Sequence, residues 1–409
     1  MNILLINHYA GSPAMGMEYR PWYMAREWVK AGHHVTIVAA TFVHVRTIQP
    51  QTNKNFQEEI IDGITYLWVK TPTYQGNGVK RILNMFSFYR KLKCHARKLA
   101  LKYRPDAVIA SSTYPMDNYA AAKIVKFSGA KHFYEVHDLW PLSPMELGGY
   151  KANHPFIKYL QRAEDFAYKH ADAVISMLPK TLDYMQSRGL NPEKWHYVPN
   201  GINTGEWNNI VPIPEYIKEI IDSIRKEYQI IIAYTGSIGI ANALNSFAET
   251  AAYNQNKETA FVIVGKGPEK ENLQRHYHSS ENLFFIDSVS KQCIPDLLSR
   301  FDILYIGLQR QSLFRFGVSP NKLFDYMMAG KPVIQAIDAG NDPVAESGCG
   351  ISIEPENPQS LADAIVKLKN LSVAERALMG DSGRNYVLQN HDYKVLAEKC
   401  LNILSGKEC

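Results

Sequence analysis

Two successive series of short apolar runs, each alternating with amphipathic segments, constrain the fold of this 409-residue chain more than any other feature. The first series begins at Asn2 and the second at Ile230, and both are rich in Val, Ile and Ala. Apolar runs that alternate with helical segments predict parallel strands covered by helices on both faces. Because the alternation starts again, we expect an α/β protein with two doubly wound domains of similar size.

The predicted strands follow this alternation along both halves of the chain. In the first half they are Asn2–Asn7, Val35–Ala40, Ile64–Val69, Ala107–Ser111, His132–Val136, Ala173–Ser176 and Trp195–Val198. In the second half they are Ile230–Tyr234, Ala260–Val264, Leu283–Ile286, Ile303–Ile306, Val333–Ala336 and Ile351–Ile353. Helices are expected between most of the strands, with the clearest at Glu18–Ala31, near Leu244–Asn254 and over about Tyr393–Leu404.

Turn formers and prolines over residues 198–216 predict a linker between the halves. We therefore expect a first domain over residues 1–200 and a second over 201–390. Residues 391–409 would contain a C-terminal helix that can pack on either domain, with a return to the first preferred. Open α/β sheets bind ligands at the carboxyl ends of their strands, so two such domains facing each other would form a deep cleft.

Composition and charge argue against several classes of protein. Lys and Arg number 45 against 40 Asp and Glu, a balance that does not favour a nucleic-acid partner. No apolar run reaches the length of about 18 residues expected of a membrane span, and the N-terminus does not resemble a signal peptide. The five cysteines form no Cys-x-x-Cys pair, which argues against a metal site or a disulfide framework. We expect a cytoplasmic protein without a metal.

Residues Val79–Arg104 form a strongly basic segment with several aromatic residues and no Asp or Glu. The spacing of its apolar residues predicts a basic amphipathic helix or a pair of helices. Such a helix can contact an anionic membrane, here the inner face of a bacterial plasma membrane, or a lipid-linked acceptor. It can equally be a solvated helical surface, and the sequence does not separate the two interpretations.

The stretch SPNKLFDYMMAGKPVI, residues 319–334, reads as a turn, a helix, a second turn and a buried strand. Ser319 is predicted to cap the helix and Pro320 to occupy its first turn. The N–H groups at a helix start attract anions, and Asp325 follows one to two turns later. Donors for phosphate and a carboxylate for sugar hydroxyls suit a nucleotide sugar. The alternative is a buried amphipathic helix with a surface Asp.

Three glycine-containing loops follow predicted strands, where glycine lets the backbone approach a ligand closely. None has the G-x-G-x-x-G pattern of dinucleotide sites, and each alone could be an ordinary turn between a strand and a helix. The candidate ligand contacts in these loops are Gly16, Gly236, Ser237, Gly239, Lys266 and Gly267.

His137 and Asp138, in EVHDLWP, come directly after a predicted strand. A histidine at the carboxyl end of a strand can bind a sugar hydroxyl or transfer a proton. For a lone His–Asp pair, however, a structural role is the more common outcome.

Together these residues resemble the retaining glycosyltransferases of family four, which have the GT-B fold of two Rossmann-like domains facing across a cleft. The motifs that carry the resemblance occur in the same order along nearly the whole chain, AMGMEYRPWYMAREWVKAGHHVTIV, EVHDLWP, VPNGIN, YTGSIG, VGKGPEK and SPNKLFDYMMAGKPVI. Within the family the sequence looks most like bacterial O-antigen and capsule transferases, particularly those assigned to L-fucosamine.

The resemblance implies specific roles. Asp325 takes the place of the second Glu of the family's E-x7-E motif, which binds ribose, while Gly317 stands where the first Glu would be. His137 matches the family's cleft histidine and Gly16 its diphosphate-loop glycine. The stretch SIGIAN lacks the Arg and Lys often found there. The donor phosphates would then depend on the helix start and nearby cations, namely Ser319, Pro320, Asn321, Lys322, Arg315 and Lys266.

The function implied is transfer of an N-acetylated or deoxy hexose from a UDP-linked donor, with retention at the anomeric carbon. The acceptor would be a saccharide or an undecaprenyl-diphosphate-linked saccharide in O-antigen or capsule synthesis, with no metal or other cofactor. His137, Lys322 and Asp325 are the expected catalytic residues. A catalytically silent nucleotide-sugar-binding protein and a UDP-sugar epimerase of the same fold remain as alternatives.

Overall fold

The computed structural model describes residues 1–16, 19–76, 78–253 and 258–407. The chain divides into two compact units. Unit 1 consists of Met1–Asn200 together with Tyr393–Cys409, and unit 2 of Gly201–Asp392. The predicted helix start at Glu18, the predicted helix end near Asn254 and Cys409 lie outside the described residues.

Unit 1 is built on an eight-stranded sheet with the order β3-β4-β2-β1-β5-β6-β7-β8. The strands are β1 (Asn2–Ile6), β2 (His34–Ala40), β3 (Gln57–Ile61), β4 (Ile64–Val69), β5 (Ala107–Ala110), β6 (Lys131–Val136), β7 (Ala173–Ser176) and β8 (Trp195–Tyr197). The helices between them are α1 (Tyr19–Lys30), α2 (Val79–Tyr103), α3 (Asp117–Ser128), α4 (Leu142–Glu146), α5 (Pro155–His170) and α6 (Leu182–Ser187).

Unit 2 is built on a parallel six-stranded sheet with the order β11-β10-β9-β12-β13-β14. The strands are β9 (Ile230–Ser237), β10 (Thr259–Lys266), β11 (Leu283–Ile286), β12 (Ile303–Gly307), β13 (Val333–Ala336) and β14 (Gly350–Ile353). The helices are α7 (Glu215–Glu227), α8 (Leu244–Tyr253), α9 (Lys270–His276), α10 (Ile294–Ser299), α11 (Asn321–Met328), α12 (Pro343–Ser347), α13 (Pro358–Lys369) and α14 (Val373–Asn390).

The apolar residues of the four central strands of unit 2, β9, β10, β12 and β13, are buried on both faces of the sheet, as their continuous apolar runs predict. Along β9, Ile231 and Ala233 pack into the core on one face of the sheet, and Ile232 and Tyr234 into the core on the other. Burying an Ile side chain completely stabilises the fold by roughly 1.5–3 kcal/mol. The two cores therefore fix the position of the strand ends, where the candidate ligand contacts lie.

The last helix, α15 (Tyr393–Ser405), belongs to unit 1 and packs on α1. The ring of Tyr393 stacks on that of Tyr23 with 4.6 Å between the centroids. The indole Nε1 of Trp28 donates a hydrogen bond of 3.1 Å to the carbonyl of Ala397. These contacts close the core of unit 1 with residues from the end of the chain.

Strand β3 is the one element of the described sheets that the apolar pattern did not predict. It pairs antiparallel with β4 at the edge of the sheet, and its residues QEEII are mostly exposed. A polar edge strand has no buried run to reveal it. Among the described residues, no helix combines the length and the apolar character needed to cross a bilayer.

Candidate functional site

The start of α11 differs by one residue from the prediction. Its N-cap is Pro320, with an extended ψ of 122°, and the helix proper begins at Asn321. The expectation that Ser319 caps the helix is therefore wrong. Pro320 adopts the extended conformation of the N-cap, and Ser319 lies one position before the cap. Proline has no polar side chain, so the N-cap side chain does not satisfy the first-turn N–H groups.

Helix α11 is held against the end of β9 by buried polar contacts. The hydroxyl of Tyr326 accepts a hydrogen bond of 2.7 Å from the backbone N–H of Thr235 and donates one of 3.1 Å to its carbonyl. Tyr326 is fully buried. The helix start is thereby fixed next to the loop that follows β9.

Lys322 reaches across to this loop. Its ammonium donates to the hydroxyl of Tyr234 at 2.6 Å and to Oδ1 of Asn242 at 2.9 Å. A Cβ atom placed on Gly236 would lie 3.2 Å from Nζ, so the ammonium sits directly over the glycine. Burial lowers the pKa of Lys322 to about 8. Both side-chain acceptors are neutral, which leaves the lysine's charge available to an anion.

A cavity of about 430 Å³ lies at the carboxyl ends of β9 and β10, next to this lysine. Residues 235–237 and 264–267 line it together with Ser288, Val289, Ile294 and Leu297. Four of the predicted ligand contacts, Gly236, Ser237, Lys266 and Gly267, thus share one cavity. Its lining combines apolar residues with glycines and a few polar residues from the two strand ends, which suits an organic ligand with a small number of polar groups.

The glycines of this cavity have different roles. Gly236 has a φ of +136°, a conformation that favours glycine. A Cβ on Gly265 would lie 1.9 Å from the carbonyl oxygen of Gly236, and one on Gly267 would lie 2.2 Å from that of Ile238. Gly265 and Gly267 therefore allow the backbones at the ends of β9 and β10 to approach each other closely. This close approach forms one wall of the cavity.

Asp325 lies in the second turn of α11 and is half-buried. Burial raises the pKa of its carboxyl to about 7, while the positive charge of Lys291 lowers it and the negative charge of Glu206 raises it. Lys291 and Glu206 form an ion pair of 3.4 Å. The carboxylate thus lies in a charged environment in which it changes protonation near neutral pH.

Three predicted positions lie apart from the cavity. Gly239 lines a separate space of about 310 Å³ that also contains Glu249 and Glu269. Arg315 is exposed, donates to the carbonyl of Ser312 at 2.6 Å and lies over the ring of its neighbour Phe316. At Gly317, where the family's first Glu would stand, φ is +102°, which favours glycine over a residue with a side chain.

In unit 1, His137 follows β6 and belongs to a buried polar network. Its Nε2 lies 3.0 Å from Oγ of Ser111 and 3.2 Å from Oε2 of Glu135. Oε1 of Glu135 accepts from the guanidinium of Arg20 at 2.9 and 3.1 Å. Burial alone would raise the pKa of Glu135. The interactions of its carboxyl with Arg20, His137 and Ser111 together hold that pKa well below its usual range.

Gly16 ends the short 3-10 helix Pro13–Met15 with a φ of +78°. A Cβ at this position would lie 2.9 Å from Oγ1 of Thr47, so the protein itself occupies the space that the glycine leaves. Conformation and crowding both require glycine here. The distances place Gly16 against Thr47.

Several contact residues were not singled out from the sequence. Tyr234 is the first residue of YTGSIG and Asn242 follows that motif, while Ser111 and Glu135 lie at the ends of predicted strands, but the partners of all four are distant in the chain. The only signal for Glu135 was its place in EVHD, two residues before His137, which in a strand puts both side chains on the same face.

Two protein families match the chain, one in each half. The family described as "Glycosyl transferase 4-like domain" matches residues 15–201. The family described as "Glycosyl transferases group 1" matches residues 229–370. The first match covers residues 15–200 of unit 1 and Gly201 of unit 2, and the second contains the cavity, Lys322 and Asp325.

Individual proteins agree with these matches. The probable glycosyltransferase WbjE of Pseudomonas aeruginosa is 22% identical over 334 residues, 79% of this chain and 78% of that protein. Sucrose-phosphate synthase from Thermosynechococcus elongatus superposes with a TM-score of 0.74 at 16% identity, covering 99% of this chain and 98% of that one. Anabaena Alr3699/HepE, solved with UDP and glucose, gives a TM-score of 0.66 at 14% identity and covers 99% of both chains. The chain is a glycosyltransferase with the GT-B fold, and its two halves match two glycosyltransferase domain families.

Proposed function

We propose that this glycosyltransferase transfers a sugar from a nucleoside diphosphate donor, UDP in preference to other bases, with retention at the anomeric carbon. The observation that carries the proposal is the ammonium of Lys322, which has neutral side-chain acceptors and lies over Gly236, a residue that lines the cavity. A half-buried cation beside a cavity at strand ends suits the diphosphate of such a donor.

The proposed donor contacts follow from this position. The diphosphate lies against Lys322 and the N–H groups at the start of α11, at Asn321 and Lys322, next to Pro320 and Ser319. The base occupies the cavity formed by the ends of β9 and β10. The carboxylate of Asp325 accepts hydrogen bonds from the ribose hydroxyls. The structure of HepE was solved with UDP and glucose, which supports UDP as the donor nucleotide.

In the proposed reaction, the bond between the anomeric carbon and the diphosphate breaks as the acceptor hydroxyl attacks. Negative charge grows on the leaving diphosphate, and Lys322 stabilises it because the ammonium is preorganised by Tyr234 and Asn242. The departing phosphate takes up the acceptor's proton. His137 in unit 1 holds a sugar hydroxyl. Lys322 and the helix N–H groups supply the positive charge that a metal supplies in other transferases.

We further propose that the acceptor is a lipid-linked saccharide of O-antigen or capsule synthesis. The support is the charge of α2, which contains eight Lys and Arg and no acidic residue. Its exposed face also presents Val79, Leu83 and Leu101, each more than half exposed. Cations with exposed apolar residues suit the anionic surface in which a lipid-linked acceptor resides.

An acceptor-dependent transfer assay tests the proposal. A thermal-shift screen across UDP-, GDP- and dTDP-sugars first identifies the donor, since a ligand that binds only the folded state raises the melting temperature. NMR of the product then reports the anomeric configuration. We expect retention and an unchanged rate in EDTA. Binding without turnover would favour a silent binding protein, and isomerisation of the donor without acceptor would favour an epimerase.

A further inference from the structure

We propose that Tyr234 is a positioning residue whose hydroxyl is fixed as a hydrogen-bond acceptor, so that it keeps Lys322 protonated and holds its ammonium over Gly236. The inference deepens the proposed function, because the alkaline limit of donor binding would then be set by a side chain that touches no ligand. Its consequence for the donor rests on the proposed function, whereas the direction of the hydrogen bonds follows from contacts within unit 2.

The hydroxyl of Tyr234 has one proton, and a carbonyl oxygen takes it. Tyr234 donates a hydrogen bond of 2.6 Å to the backbone carbonyl of Ser237, which can only accept. The ammonium of Lys322 lies 2.6 Å from the same hydroxyl and can only donate. Because the proton of the hydroxyl is already used on Ser237, the hydroxyl accepts from Lys322, and both partners require the same orientation of the O–H bond.

The core of unit 2 holds Tyr234 in place. The residue is fully buried and belongs to the same core cluster as Ile238, Phe247 and Tyr305. Burial raises the pKa of the Tyr234 hydroxyl above its usual range, so the hydroxyl remains a neutral acceptor near neutral pH. The aromatic ring also contacts the cation, since Nζ of Lys322 lies 4.3 Å from the ring centroid. Ring and hydroxyl of one residue therefore hold the ammonium together.

The ammonium of Lys322 has three N–H groups, and the protein uses two of them. One is donated to Tyr234 and one to Oδ1 of Asn242 at 2.9 Å, and within the described parts of the chain Lys322 makes no other hydrogen bond. A Cβ on Gly236 would lie 3.2 Å from Nζ and 3.5 Å from the hydroxyl of Tyr234, so a side chain there would crowd both groups. The third N–H group is available to a phosphate oxygen.

The hydroxyl of Tyr234 favours the charged form of Lys322. Burial lowers the pKa of Lys322 to about 8, and among the described residues no neighbouring charge contributes to that shift. A hydrogen bond accepted from the ammonium opposes the effect of burial, because it stabilises the protonated form. The other titratable side chains near the site are Asp325 and Tyr326 on α11 and Lys266 at the end of β10. Removing only the hydroxyl leaves these three groups in place.

Carbon-13 NMR of the ligand-free protein tests this effect directly. The ε-carbon signal of Lys322 is assigned by its loss in Lys322→Ala. In Tyr234→Phe, which keeps the ring, we expect the pKa of Lys322 to fall by about one unit, a tenfold change in the protonation equilibrium. The matched control Tyr305→Phe removes a hydroxyl from the same core and should leave that pKa unchanged. An equal pKa of Lys322 in the wild type and a folded Tyr234→Phe variant would overturn the proposal.

The wild-type protein provides a second measurement that does not require Tyr234→Phe to fold. Because the hydroxyl accepts from the ammonium, the Cζ signal of Tyr234 should titrate together with Lys322, and this titration should disappear in Lys322→Ala. If no tyrosine Cζ signal of the wild type follows the titration of Lys322, the proposal is wrong.

Donor binding tests the consequence. At pH 7, UDP should bind Tyr234→Phe on the order of tenfold more weakly than the wild type, and the alkaline limb of its affinity should move to lower pH by about one unit. Uridine, which has no phosphate, should bind both proteins equally. An equal loss for uridine would place the effect in the cavity and not at the lysine, against the proposal. A wild-type protein that does not bind UDP would instead refute the proposed function and leave the NMR titration decisive for Tyr234.

Discussion

Two residues of unit 2 have pKa values displaced toward neutral pH from opposite directions. Burial raises the pKa of Asp325 to about 7 and lowers that of Lys322 to about 8. In the proposed complex both are charged, Asp325 to accept from ribose and Lys322 to pair with phosphate. Below about pH 7 the carboxyl takes up a proton, and above about pH 8 the ammonium loses one. Donor affinity should therefore be highest between these values.

The pH dependence of UDP-sugar binding measures this directly, because the diphosphate of the donor has no group that titrates in the same range. We expect affinity to fall on both sides of pH 7–8, approaching tenfold per unit on each limb. Asp325→Asn should weaken binding and remove the acid limb, because an amide does not titrate. Charge changes on Lys291 and Glu206, which face Asp325, should move that limb. An acid limb that persists in Asp325→Asn would rule out the carboxyl as its source.

At the scale of residues, the sequence predicts the site residues that belong to a local motif. It misses the residues whose contacts depend on elements that are distant in the chain and adjacent in the fold. Lys322 and Asp325 were identified from the local pattern around a helix start. Tyr234, 88 positions before its partner Lys322, could not be assigned a role without knowing that β9 lies beside α11. Ser111 and Glu135 likewise come together only because β5 and β6 are neighbours.

At the scale of elements, the continuous buried runs were sufficient to predict the parallel strands of both sheets. The predicted strand ends near β9 and β10 fell short, because the strands continue through Gly236, Ser237 and Gly265 into Lys266. Glycines usually end a strand prediction, but here they allow two backbones to stay paired up to the cavity. The glycines that drew attention to these loops therefore also made the predicted strands, and with them the cavity wall, too short.

Helix α2 is a single helix with one buried face and one basic face. Phe88, Leu92 and Ala96 are buried, whereas Arg90 and Lys98 are exposed. Among the described residues, neither of these two cations has an acidic partner within 4.0 Å, although Lys102 pairs with Glu58. An unbalanced row of cations favours contact with an anionic surface.

Vesicle co-sedimentation tests this contact. We expect binding to vesicles that contain phosphatidylglycerol and little binding to neutral ones. Reversing two charges in Arg90→Glu/Lys98→Glu should weaken binding by at least about 30-fold, at roughly 1 kcal/mol for each lost positive charge and more for each reversal. The matched control is Lys226→Glu/Lys367→Glu, which changes two exposed lysines of unit 2 by the same charge. Equal loss in both variants would show that net charge alone, and not α2, determines binding.

At the scale of the whole molecule, the chain returns from unit 2 to complete the core of unit 1. Helix α15 contributes Leu396, Ala397 and Cys400 to that core, each no more than 2% exposed. The stability of unit 1 therefore depends on residues that follow unit 2 in the chain. The cavity at the ends of β9 and β10, in contrast, is lined only by residues of unit 2.

The variant Leu396→Ala tests whether the stability of unit 1 and nucleotide binding in unit 2 depend on different residues. Loss of a buried leucine side chain should cost about 2–5 kcal/mol of unfolding free energy and lower the melting temperature. UDP affinity measured at a temperature where the variant is folded should stay within about twofold, since no donor contact is changed. Leu378→Ala, at a 70% exposed position of α14, is the control and should be almost neutral. A melting temperature unchanged by Leu396→Ala would contradict the packing of α15.

The central claim is that the diphosphate of a nucleotide donor binds at Lys322, beside the cavity at the ends of β9 and β10. Isothermal titration of UDP into the wild-type protein, Lys322→Ala and the exposed-surface control Lys367→Ala tests it most directly. A hydrogen bond to a charged partner is worth about 1.5–3 kcal/mol, so we predict binding roughly 10- to 150-fold weaker in Lys322→Ala and unchanged in the control. Equal affinity of wild type and a folded Lys322→Ala variant would contradict the account.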